Sequence, residues 1–269
     1  MQNKYPRGQV GLLLLVIMGV VVALVLSVAS RSLSDTVLSR QERESSAAFA
    51  VAETGIESAL SALQAGESQG IGGPLTDVGN FVSGNYQVAN LSSYSLYLRE
   101  GETAHLDLVG FGGPTITIEW TRKNDNSEDL ACGTEGSGGS AAAIEVNAIK
   151  ETTDTVVRSY YNASNCTLYA NGFEDANDGG DTYRSAVSLT LGDPLVLPAG
   201  VTALRIKPIY AGATVAASGN NLQTQLYKIQ SKASGGDAQK EIEVKRGLDA
   251  PSSIFDFAVF TSGTIQKGS

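Results

Sequence analysis

Residues 10–29 carry no charge, and this run constrains the chain more than any other feature. A helix rises about 1.5 Å per residue, so a run of this length spans a bilayer core of about 30 Å. Lys4 and Arg7 precede it and Arg31 follows closely. No Gly or Pro stops the helix at its polar end. The helical pattern runs on to residue 63, with apolar residues at Leu33, Val37, Ala48, Val51, Ala52, Ile56, Ala59, Leu60 and Leu63. These recur near the period of 3.6. A polar band over residues 39–46 interrupts the stripe. A membrane-spanning helix is therefore expected to continue, unbroken, into an amphipathic one, with Phe49, Ala52, Ile56, Leu60 and Leu63 docking on the chain's own globular part. Gly55 would let something pack closely there, and Gly66 and residues 70–74 would end the helix.

Beyond Pro74 the period switches to two. Strands are expected over residues 84–89, 95–98, 104–111, 115–122, 142–149, 155–161, 185–191, 203–210, 225–232, 240–245 and 254–260. Alternation such as Ile116, Ile118 and Trp120, or Ile242 and Val244, marks half-buried antiparallel strands. Short strands parted by Gly-rich turns indicate a β-sandwich. The expected class is α+β: a long N-terminal helix, transmembrane and then amphipathic, packed on a mainly antiparallel β-sandwich. The expected division is a leader over 1–8, the helix over 9–66 (transmembrane 10–29, amphipathic 30–66), a linker over 67–74 and an extracellular sandwich over 75–269.

The net charge of −9 among 269 residues argues against nucleic acid, whose phosphates need a basic face. Catalytic signatures are missing: there is one histidine, His105, and no Gly-x-Ser-x-Gly elbow, Walker loop or His-Glu-x-x-His motif. The expected class is a non-enzyme without a resident cofactor. The two cysteines, Cys132 and Cys166, read as a disulfide if their domain is exported and as separate thiols otherwise. Asp175, Asn177, Asp178 and Asp181 group oxygen ligands suited to calcium. Their spacing misses the EF-hand pattern, and the residues suit an acidic turn better. Asn90, Asn162 and Asn165 begin glycosylation-type triplets. Tyr94, Tyr97, Tyr160 and Tyr161 suit either an adhesive patch or ordinary sheet packing.

Three readings of residues 1–30 stand. One is a secretory signal cut after Ala29, although the apolar run exceeds the usual core of about 7–15 residues. The second is an uncleaved anchor. The third is a leader cut on the cytoplasmic side, which leaves the helix on the mature protein. The last two put the N-terminus in the cytoplasm and the bulk outside. Gly11 and Gly19, eight apart, fall on similar helix faces and would allow close helix packing.

Arg7-Gly8 before the apolar run, Ser30-Arg31 at its end and the segment Ala47-Ala-Phe-Ala-Val-Ala-Glu-Thr-Gly-Ile-Glu57 resemble the N-terminal region of the PilX-like minor pilins of type IV pili. The likeness extends more loosely to the large minor pseudopilin of type II secretion. It covers about the first 65 residues. It implies that a prepilin peptidase cuts between Gly8 and Gln9. It also implies that Gly11, Leu12, Leu13, Leu14, Leu15, Gly19, Leu24 and Leu26 lie in an assembly helix meeting the bilayer and other pilin-like subunits. Two positions depart from the major-pilin pattern: Gln9 replaces the usual Phe or Met, and Leu13 replaces the Glu at the fifth mature position. The missing Glu fits an initiating, tip or minor subunit, or a plain membrane anchor, in a pilin-like organisation of helix and outer domain. The expected function is such a subunit, displaying a β-rich domain at the cell or filament surface for structure or adhesion to an unknown ligand. The alternative is a non-filament binding module on an uncleaved anchor.

Overall fold

The computed structural model describes residues 9–76, 81–132, 141–150, 155–166 and 171–249. Its elements are one helix and antiparallel-rich sheets, an α+β chain. Leader residues 1–8, with Gly8, and the expected strand at 254–260 lie outside the described residues.

The helix α1 runs Gln9–Gln64 without a break. Its stop is local: Gly66 has φ 87°, a left-handed conformation that favours glycine. Gly66 N donates to Leu63 O and Glu67 N to Ala62 O, each at 3.1 Å. This paired cap satisfies carbonyls that the helix end would leave bare.

The chain divides into two compact units. The first holds α1 and a four-stranded sheet, and comprises the described residues up to Gln87 together with Gln230–Glu243. Its strands are β1 (Gly72–Thr76), β2 (Val82–Leu91), β13 (Leu226–Gly235) and β14 (Ala238–Gly247), in the order β1-β2-β13-β14. The core of this unit is Ala48, Val51 and Ala52 of the helix against Leu75, Val82 and Ala233 of the sheet. Two expectations are corrected here. The linker ends earlier, because β1 begins at Gly72 and pairs with β2 from Gly72↔Gln87 to Thr76↔Ser83. The sheet beneath the helix is separate from the sandwich. Burying a helix stripe needs only one apolar sheet face, and this small sheet supplies it.

The second unit comprises Val88–Ile229 and the described residues from Val244. Ten further strands fill it: β3 (Tyr94–Leu98), β4 (Ala104–Asp107), β5 (Thr115–Arg122), β6 (Ala143–Lys150), β7 (Thr155–Asn162), β8 (Glu174–Asp175), β9 (Asn177–Asp178), β10 (Tyr183–Thr190), β11 (Ala203–Ile209) and β12 (Ala213–Gly219). They form two five-stranded sheets, β3-β12-β5-β10-β9 and β4-β11-β6-β7-β8. Ile116, Ile118, Trp120 and Val215 of one sheet share a core with Leu106, Ile144, Val146, Leu204 and Ile206 of the other. This is sandwich packing, each strand turning alternate residues inward. Trp120 closes it: its buried Nε1 donates to Ala142 O at 2.7 Å. Strand β12 was not expected from sequence, because Ala-Thr-Val-Ala-Ala-Ser-Gly lacks the large residues that mark strands.

Candidate functional site

The helix is the candidate site, and its two halves do different things. From Gly11 onward the apolar half makes no burying contact: Leu12, Leu13, Leu14 and Leu15 are 57–71% exposed, and Leu24 and Leu26 are 61% and 64% exposed. A β-carbon added at Gly11 or Gly19 would meet nothing within 4 Å. Apolar surface this extensive suits contact with lipid or with other apolar surfaces. The helix is long and apolar enough to cross a membrane. Where the polar sequence begins, the helix satisfies its hydroxyls internally: Ser34 Oγ donates to Ser30 O at 3.0 Å and Thr36 Oγ1 to Ser32 O at 2.8 Å. Leu33, Val37 and Leu38 remain exposed beyond this point.

The second half is seated through small residues. Ala48, Ala52 and Ala59 are fully buried, and Gly55 shares their stripe. A β-carbon at Gly55 would stand 2.3 Å from Ser231 Oγ and 2.7 Å from Leu75 Cδ1. Helix and sheet therefore approach closely only because this position carries no side chain. Of the expected docking residues, Ala52 and Ile56 are buried and Leu60 and Leu63 half-buried. Phe49 is corrected: it is 46% exposed. On the helix wheel Phe49 falls about 20° from Ile56, at the edge of the docked stripe, and its ring is left largely uncovered there. Phe49 instead lines a shallow surface recess with Glu53, Ile56, Glu57 and Ile242.

An ionic contact marks the start of the docked half. Arg40 Nε lies 2.7 Å from Glu44 Oε1, and Glu44 Oε2 accepts from Asp237 N at 3.3 Å. The hydrogen bond from Arg40, then that from the Asp237 amide, hold the Glu44 carboxyl below its ordinary range. The same hydrogen bond raises Arg40.

In the sandwich unit, Cys132 and Cys166 form a disulfide with Cα atoms 5.3 Å apart. Arg184 of β10 covers it, donating to Cys132 Sγ at 2.9 Å, Cys166 Sγ at 3.2 Å and Ser164 O at 3.2 Å. Burial pulls the Arg184 guanidinium down from its usual value, with Asp129 and Asp178 opposing. Asp175, Asn177 and Asp178 sit on the short strands β8 and β9, and Asp181 in the turn after them. Asp178 Oδ1 accepts from Lys123 Nζ at 2.9 Å and from Gly180 N at 2.8 Å. An ammonium already stands where a calcium ion would need that oxygen. The group is therefore an ion-paired turn, and among the described residues no three His, Cys, Asp or Glu side chains converge as metal ligands.

Sequence reasoning missed two polar clusters. Glu128 is buried, and it accepts from Arg122 N at 2.9 Å, from Thr214 N at 3.0 Å and from Thr214 Oγ1, tying two strands to a turn. The second is Glu145, Asn147, Arg205 and Lys207, all buried on the β6–β11 face turned away from the sandwich core. Alternation alone would mark these positions as solvated. Their burial is visible only in the fold.

Comparison of the chain with protein-family models, with curated proteins and with solved structures finds no match in any of the three.

Proposed function

We propose that this chain is a type IV pilin-like minor subunit. Its N-terminal helix lodges it in the cytoplasmic membrane and packs it against other pilin-like subunits. Its β-rich units lie outside the membrane and serve filament structure or adhesion. One observation carries the reading. A single uninterrupted helix, Gln9–Gln64, has an unpartnered, charge-free first part and a second part seated on a sheet of the same chain. A simple tether needs only the span. A helix that also serves as a rigid strut for its own sheet fits a subunit laid down in a helical bundle.

In this reading a prepilin peptidase cuts between Gly8 and Gln9. Gly11, Gly19 and the leucines at 12–15, 24 and 26 meet lipid first and neighbouring helices after assembly. A second reading, a surface binding module on an uncleaved anchor, draws on Leu13, which puts a neutral side chain where a major pilin has Glu.

The deciding experiment is the N-terminal residue of the protein isolated from its native cells, by mass spectrometry. A start at Gln9 supports the pilin-like subunit. A start at Met1 supports the plain anchor and overturns the filament reading. A start at Ser30 removes the helix and overturns both.

A further inference from the structure

On the outward face of the sandwich's second sheet, an acid bridges an amine and an amide. Glu145 of β6 lies opposite Lys207 of β11 in the antiparallel ladder, and Asn147 lies two residues along β6 on the same face. Lys207 Nζ is ion-paired to Glu145 Oε2. Asn147 Nδ2 donates to Glu145 Oε1 at 3.1 Å. One carboxylate therefore holds both nitrogens, one on each oxygen. The residual exposure of Glu145, Asn147 and Lys207 is 3%, 2% and 8%. The carbonyl oxygen of Asn147 is buried with no hydrogen-bond partner. Buried amides ordinarily satisfy both ends, so a bare carbonyl on an amide that shares its carboxylate with an amine needs an explanation beyond packing.

We propose that Lys207 and Asn147 are the substrates of an intramolecular cross-linking reaction, with Glu145 as the proton carrier. Glu145 takes a proton from the Lys207 ammonium and frees the lone pair of Nζ. Nζ attacks Asn147 Cγ, a new N–C bond forms, and the carbonyl electrons move onto Oδ1. When these electrons return, the Cγ–Nδ2 bond breaks. Glu145 passes its proton to Nδ2, then relays the second proton from the former amine to the same nitrogen, which departs as ammonium. Nothing is oxidised or reduced and no co-reactant is needed. The chain becomes lighter by one ammonia, about 17 Da, and loses one positive charge. Proximity is the gain: both groups are held on one carboxylate, and well-oriented intramolecular reactions reach effective concentrations of about 10⁵–10⁸ M. Arg205 lies directly opposite Asn147 in the ladder and is itself buried. Its positive charge favours the negative charge that gathers on Oδ1. The product is an amide joining β6 to β11, and it does not depend on how the helix is used.

The test is a peptide map of the full-length protein purified in detergent. A peptide-level readout is needed because an N-terminal glutamine that cyclises also loses one ammonia. The expected result is a branched peptide joining Lys207 to Asn147, with the separate linear peptides missing. Recovery of both linear peptides, with Lys207 and Asn147 unmodified, overturns the proposal. Glu145→Gln is expected to return both linear peptides from a protein whose circular dichroism is unchanged. A Glu145→Gln protein that still carries the branched peptide overturns the role given to Glu145.

Discussion

Gly55→Val is the sharpest test of how the helix is seated. The β-carbon alone would lie 2.3 Å from Ser231 Oγ, 2.7 Å from Leu75 Cδ1 and 3.1 Å from Ser231 Cβ. Valine adds two γ-carbons to this overlap. Forcing extra carbons into a packed contact costs about 1–3 kcal/mol. Against this, valine is the better helix former by about 0.3 kcal/mol. The net loss is about 1–2.5 kcal/mol, expressed as opening of the docked helix segment. The assay is amide hydrogen exchange over residues 48–63 of the full-length protein in detergent, which reads local opening directly. At tenfold per 1.4 kcal/mol, exchange should quicken about 5- to 70-fold. Gly19→Val is the control, because nothing lies within 4 Å of that position, and it should leave exchange there unchanged. A double-mutant cycle locates the clash. Ser231 Oγ is buried and unpartnered, so Ser231→Ala removes both an unsatisfied hydroxyl and the nearest obstacle. Gly55→Ala should cost less in that background, with a coupling of at least about 0.5 kcal/mol. Unchanged exchange in Gly55→Val would refute the close seating of helix on sheet.

Two further outcomes are expected. Reducing the Cys132–Cys166 bond, or replacing Cys132 by Ser, frees a loop with a sequence separation of 34 and should lower stability by about 3–4 kcal/mol. The fluorescence of the single tryptophan, Trp120, buried in the same unit, reports it as a lower urea midpoint. The carboxyl of Asp178 is depressed by its hydrogen bond from Lys123 and then by that from the Gly180 amide. A depressed carboxylate contributes stability that is fully present above its unfolded value, about 3.9, and is lost as pH falls through the folded value. Asp178→Asn should therefore flatten the acid limb of the stability–pH profile below about pH 4 and leave its shape near neutrality unchanged, as read by thermal melts across pH.

The helix was legible because two signals agreed, a charge-free run and a 3.6-residue stripe. Phe49 was misplaced because it shares the helical period of Ile56 and Leu60, while its exposure of 46% depends on how far the covering sheet reaches, which the period does not carry. Three strands of the helix's partner sheet were legible, at 84–89, 225–232 and 240–245, but neither β1 nor their assembly into a sheet of their own was. Strand β1 is Gly-Gly-Pro-Leu-Thr, which lacks alternation, and its sheet joins segments more than 140 positions apart, as the Gln87–Gln230 contact shows. The cysteines could be paired only once the fold brought them together. The grouped carboxylates read as an acidic turn, but the cation that pairs with Asp178, Lys123, lies 55 residues away in sequence. Lys207 and Glu145 are likewise distant in sequence, and only the register of β11 against β6 makes them opposite residues.

The sheet under the helix also sets a timetable. Strands β1 and β2 are made soon after the helix, but β13 and β14 complete the sheet only near residues 230–243. Some 170 residues separate them from the end of the helix. At about 5–20 residues per second, synthesis of that interval takes roughly 8–35 seconds. Throughout it the alanine face of the helix waits without its full partner. The first unit is thus begun first and finished last, and a nascent chain stalled within the sandwich would leave the helix made but unseated.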